Sequence, residues 1–119
     1  MPHSESHLSI REISSDTAVV TLGGRVDAAS VRSQRDQVHA LVDKGIHRVV
    51  IDLGGVTFLD SAGMAMLVSL LKRARAADGD VRVAEPADES VRHILRLTRL
   101  DLVFNLEKTV EAALQGLSQ

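Results

Sequence analysis

The chain has 119 residues, 45% hydrophobic and 25% charged, which is enough for one domain with its own core and too few for two. A net charge of −2, no Trp or Tyr and two Phe leave neither the basic footprint nor the aromatic platforms of nucleic-acid binding. Zero Cys excludes a disulfide framework and thiolate metal ligands and fits a reducing cytosol, and no apolar run has the length of a membrane span.

Met1 to His7 is short and polar and is expected to be a flexible tail ahead of one domain spanning residues 8–117. His3 and His7 lie on that tail without further ligands, so no metal is expected there. The stretch carries no signal-peptide core, so a cytoplasmic protein is expected. Leu8 to Ile13 alternates as a half-exposed strand, Ser14-Ser15-Asp16 is a turn, and Thr17 to Leu22 is a second strand. The short link predicts an antiparallel hairpin. Gly23 to Asp27 interrupts regular structure. Ala28 to Lys44 then reads as a helix with Val31, Val38, Leu41 and Val42 on its apolar face, Asp27 as N-cap and Gly45 just past its end. His39 falls on the polar face and is expected in solvent.

Arg48 to Leu53 is a mostly β-branched run and reads as a buried strand, with Asp52 as a structural hydrogen-bonding residue. Gly54 to Ser61 is expected to be a loop. From about Ser61 to Ala77 the pattern is helical, with Met64, Leu67, Val68 and Leu71 as the core stripe and Ser61 as N-cap. Met66 and Leu70 lie off that stripe, either packed under a neighbouring element or facing a partner. Val81 to Ala84 is a short strand, and a third helix follows Asp88 with Val91, Ile94, Leu95 and Thr98 inward. Val103 to Leu106 is expected to be a last short strand, and Thr109 to Leu117 a final amphipathic helix.

This alternation of strands and helices predicts an α/β fold. Helical crossovers between strands make the sheet mostly parallel, with one antiparallel strand at the N-terminus and helices packed against it, and crossovers of this kind are right-handed. Parallel strands bring their C-terminal ends to one edge, where sites gather. Asp27, Asp60 and Ser61 are thereby expected to be neighbours. A nucleophilic Ser needs a base, and no His is placed on that edge. The pairs Gly23-Gly24 and Gly54-Gly55 lack the P-loop Lys and the dinucleotide spacing, so turn geometry is their expected role and no cofactor is predicted. A phospho-acceptor Ser at a helix start fits better. The phosphate would meet the positive helix end and place up to two negative charges beside Asp60 and Asp27.

Gly24-Arg25-Val26-Asp27, Val49-Val50-Ile51-Asp52-Leu53 and Val56-Thr57-Phe58-Leu59-Asp60-Ser61-Ala62-Gly63-Met64 together resemble a STAS domain, specifically a bacterial anti-sigma factor antagonist. The resemblance runs over about residues 8–117. It implies a small right-handed βα superhelix and a non-enzymatic role. Unphosphorylated, such a protein binds an anti-sigma factor serine kinase of the histidine-kinase-like ATPase class and frees a sigma factor. Kinase phosphorylation and a phosphatase then form the switch. The resemblance implies that Ser61 is the acceptor, with Asp27 and Asp60 as its acidic setting. Ala62, Gly63, Met64, Met66 and Leu70 complete the expected partner-facing set. The family's second motif Ser is Ala62 here, which removes a hydroxyl from the partner surface. Other members of the family serve stressosomes or lipid-transport complexes, which is the alternative role. An aspartyl-phosphate receiver has a similar rhythm, but the hairpin start and the lack of Lys between Lys72 and Lys108 argue against it.

Overall fold

Runs of Val and Ile flanked by turn residues form the centre of the molecule. The computed structural model describes residues 6–118. Four strands, β1 (His7–Glu12), β2 (Thr17–Val26), β3 (Arg48–Leu59) and β4 (Asp80–Ala84), hydrogen-bond in that order. β1 is antiparallel to β2, while β2–β3 and β3–β4 are parallel. Five helices complete the fold: α1 (Ala28–Asp43), α2 (Ser61–Ala76), α3 (Glu89–Leu97), α4 (Leu100–Val103) and α5 (Val110–Leu117). This is the expected α/β architecture. The expected tail lies outside the described residues for 1–5, while His7 already opens β1.

Side-chain alternation sorts the central strands between two layers. Ala18, Val20 and Leu22 of β2 and Val49, Ile51 and Leu53 of β3 join Val81 and Val83 in the main core, beneath α1, α2 and α3. Val19 and Val50 point the other way and meet Ala113 and Leu117 of α5. A strand buried on both sides explains why residues 49–51 read as a continuous apolar run rather than an alternating one.

Both central strands outrun their expected ends. β2 continues through Gly23-Gly24 to Val26, and β3 through Gly54-Gly55 to Leu59. The glycines read as loop signals pair with each other across the strands, Gly23 opposite Gly55, with register shifts on either side. Fully buried Val26 and Val56 hold the extensions to the core. At the far end, Val103 to Leu106 is not a strand. Leu100–Val103 is a helical turn, Phe104 N–H donates to Leu100 C=O, and Asn105 turns the chain at φ 50. Phe104 is 1% exposed, so one aromatic plugs the core where a strand was expected. Only the Glu107–Ala84 bridge pairs this segment with the sheet among the described residues.

The apolar stripe of α2 is also rotated and wider than expected. Gly63, Met66, Leu67, Leu70, Leu71 and Ala74 are buried, whereas Met64 and Val68 are half-buried. The helix packs on both the sheet and α1, so residues either side of a single stripe are covered. Met66 and Leu70, expected to face a partner, are only 2% and 1% exposed and belong to the core.

Candidate functional site

The extensions of β2 and β3 end side by side, with Arg25 opposite Phe58 and Val26 opposite Leu59. Each strand is followed by one extended Asp and then directly by a helix. Both carboxylates are N-caps. Asp27 Oδ1 accepts from Ser30 N–H at 3.1 Å, and Asp27 N–H donates to Ser30 Oγ at 3.0 Å, closing a capping box on α1. Asp60 Oδ1 accepts from Gly63 N–H at 3.0 Å, while its Oδ2 accepts from Ala28 N–H at 3.2 Å. One carboxylate therefore ties the starts of α1 and α2 together.

The α2 cap, expected at Ser61, is Asp60, one residue earlier. Asp has two acceptor oxygens and reaches both helix starts, which a single hydroxyl does not. Ser61 becomes the first residue of α2 and is exposed, its hydroxyl released from capping. Gly63 is buried against the end of β2. A Cβ there would lie 2.6 Å from Val26 O and 2.7 Å from Leu59 Cδ1. Its lack of a side chain sets how closely α2 approaches the strand, and with it the height of Ser61 above the sheet edge. Ala62 and Met64 are half-buried beside the main core. Of the expected set, Asp27, Asp60, Ser61, Ala62, Gly63 and Met64 lie at this edge, and Met66 and Leu70 do not reach the surface.

Asp27 is also paired. Arg25 Nε lies 3.1 Å from its Oδ2, and the Arg25 guanidinium sits 3.8 Å from the centre of the Phe58 ring. The Ser30 backbone N–H and then Arg25 hold the Asp27 carboxyl below the usual carboxylate range. Phe58 is 37% exposed, a large apolar side chain at the rim. Phe58 is not among the expected site residues. It stands beside exposed Thr57 between buried Val56 and Leu59, a break in alternation that the residue types do not signal.

Behind Ser61, a groove of about 590 Å³ runs between α1 and α2, lined by Arg35, Asp36, His39, Ala62, Ala65 and Ser69, among others. His39, expected in solvent, is half-buried there, with Nε2 3.1 Å from Ser69 Oγ. Burial, with Arg73 and Arg35 nearby, lowers its pKa and favours neutral imidazole. The pair bridges two helices, His39 on α1 and Ser69 on α2, each at an interior position where the backbone N–H groups are spent on the helix and offer no oxyanion donors. Asp52 does what was expected, its Oδ1 accepting from Gly54 N–H at 2.9 Å. Among the described residues no group of three or more His, Asp or Glu could hold a metal ion, and no helix is long and apolar enough to cross a membrane.

Comparison with known proteins agrees with this geometry. Residues 9–113 match the STAS domain family. The anti-sigma-F factor antagonist RsfB of Mycobacterium tuberculosis is 30% identical over 100 residues, 83% of this chain and 80% of its own. Among solved structures, an anti-sigma factor antagonist from Mycobacterium paratuberculosis superposes with a TM-score of 0.83 at 23% identity, covering 100% of this chain and 98% of its own. The anti-sigma factor antagonist SpoIIAA in its unphosphorylated form gives a TM-score of 0.80 at 18% identity, covering 91% and 93%. Those identities speak to the fold, and the family match and the RsfB alignment to descent. The chain belongs to the STAS domain family, in its anti-sigma factor antagonist group.

Proposed function

We propose that the protein is a phosphorylation-controlled anti-sigma factor antagonist of the cytoplasm, and that Ser61 is its switch. Unphosphorylated, it binds an anti-sigma factor serine kinase through the edge carrying Asp27, Asp60, Ser61, Ala62 and Met64, and the sigma factor is freed. The kinase then turns the antagonist off. Ser61 Oγ attacks the γ-phosphorus of ATP, the bond to ADP breaks, and the hydroxyl proton passes to a base on the kinase. A phosphatase hydrolyses the ester and restores binding. In this reading the protein supplies a substrate side chain and a docking surface, and the chemistry belongs to its partners.

The observation that carries the reading is the exposed Ser61 at the first position of α2, with its hydroxyl left out of the cap by Asp60. A phosphate there gains roughly 0.3–1 kcal/mol from the helix end. Against Asp60 or Asp27 at about 6 Å, each unit pair repels by roughly 0.7 kcal/mol in water and 2.8 at an effective dielectric of 20. A partner that covers this edge excludes water and meets the larger figure. A loss of ~3–4 kcal/mol weakens binding by two to three decades.

The test is incubation with the cognate kinase and ATP, followed by intact mass and fragment mapping. One phosphate on Ser61 is expected, none on Ser61→Ala, and a two-to-three-decade loss of kinase affinity for Ser61→Asp. Phosphate on another residue, or full affinity for Ser61→Asp, sinks the reading. Stable co-purification with a large sensor or transport assembly that is indifferent to Ser61→Ala would favour the non-enzymatic subunit role instead.

A further inference from the structure

The two strand ends that converge on Ser61, with the turns into α1 and α2, hold a single cation. No Lys or Arg other than Arg25 lies between Arg11 and Arg32, and none lies between Arg48 and Lys72. Arg25 uses its Nε on Asp27 and rests its guanidinium on Phe58, while its four Nη protons have no acceptor among the described residues. Asp27 divides its work between oxygens, Oδ1 capping α1 and Oδ2 holding Arg25. The guanidinium is thus positioned by one donor with the remaining donors unspent. Arg25 and Phe58 are register partners, and Ser61 lies three residues beyond Phe58. With strand spacing of roughly 4.8 Å and a rise of roughly 3.3 Å per residue, the Arg25 and Ser61 Cα atoms are on the order of 11 Å apart. That gap is within the combined reach of an arginine and a phosphoseryl side chain.

Resting on the reading of Ser61 as the acceptor, we infer that Arg25 is the phosphate-binding residue of the modified protein. Its Nη groups donate to the phosphate oxygens of phospho-Ser61 while Nε stays on Asp27 and Phe58 backs the guanidinium. The phosphate carries up to two charges and three strong acceptors, and a planar guanidinium matches that geometry. Asp60 and Asp27 set a like-charge field at the edge, and Arg25 offsets it from within the chain. Arg35 of α1, which lines the groove beside Ala62, and the N-terminus of α2 are unchanged by substitution at position 25.

The test needs no kinase. Phosphoserine is installed genetically at position 61 and its second ionisation followed by phosphorus NMR in wild type, Arg25→Lys and Arg25→Gln, with thermal unfolding as a control for folding. Removing the guanidinium is expected to raise the phosphate pKa by about half a unit or more, with Arg25→Lys in between. Identical titrations in wild type and Arg25→Gln overturn the inference. Should Arg25→Gln not fold, the wild-type Arg25 Nη resonances decide. They must shift and exchange more slowly on phosphorylation, and unchanged resonances overturn it. A kinase that ignores Ser61 would sink the functional reading while leaving this measurement standing.

Discussion

At the residue scale, the two aspartates at the strand ends separate what side-chain type reveals from what only geometry reveals. Asp27 was legible as an N-cap, because an acidic residue ahead of an amphipathic run has few other roles. Asp60 and Ser61 are both good caps, and their order in the chain does not say which one turns inward. That depends on Ala28 N–H, a backbone donor supplied by a helix 32 residues earlier. The pH dependence of stability follows from the same bonds. Asp27 and Asp88 both have lowered carboxyl pKa values, Asp27 through Ser30 N–H and Arg25, and Asp88 through the Ser90 hydroxyl and the Val91 N–H. When the folded value lies below the unfolded one, the unfolded chain binds the proton first as pH falls. The stabilisation is therefore complete above about pH 4–5 and is lost as pH drops through the folded values. Urea midpoints are expected to be flat near neutrality and to fall in acid, with a shallower acid slope for Asp27→Asn. An unchanged slope in that variant would show that the Asp27 cap does not contribute.

At the scale of elements, strand and helix identities were legible, but their lengths and rotations were not. Gly-Gly pairs are turn signals in isolation, yet here two pairs lie across neighbouring strands and the sheet runs through them. Helical periodicity located α2 without stating how many neighbours it has. With the sheet beneath and α1 beside it, the covered arc extends past one stripe and takes in Met66 and Leu70. Their roles are separable by stability. Met66→Ala and Leu70→Ala each remove buried volume and are expected to cost roughly 2–4 kcal/mol in urea unfolding. Met64→Ala, at a half-buried position, is expected to cost clearly less. If Met64→Ala proves the most destabilising of the three, the rotation of α2 described above is wrong.

At the scale of the whole molecule, the parallel order was legible because every strand after the hairpin is separated from the next by a helix, and such connections admit few arrangements. The misread last strand, Val103 to Leu106, shows the limit. A short apolar run reads alike as strand or helix, and the position of Phe104 in the core decided it. The same packing bears on how the proposed switch would act. Ser61 is exposed and takes no part in the cap, so a charge on its side chain breaks no bond that fixes the helix. The helix-end attraction, roughly 0.3–1 kcal/mol, offsets part of a water-screened repulsion of about 1.4 kcal/mol per unit charge from Asp27 and Asp60 together, leaving about 1 kcal/mol or less. Fold stability should therefore barely register the modification, while a partner that dries the edge registers it strongly. Ser61→Asp is expected to unfold in urea within about 1 kcal/mol of wild type, with an unchanged dependence on denaturant. A loss of several kcal/mol, or a changed slope, would mean that charge at Ser61 acts by loosening the domain, and the switch would be conformational rather than electrostatic.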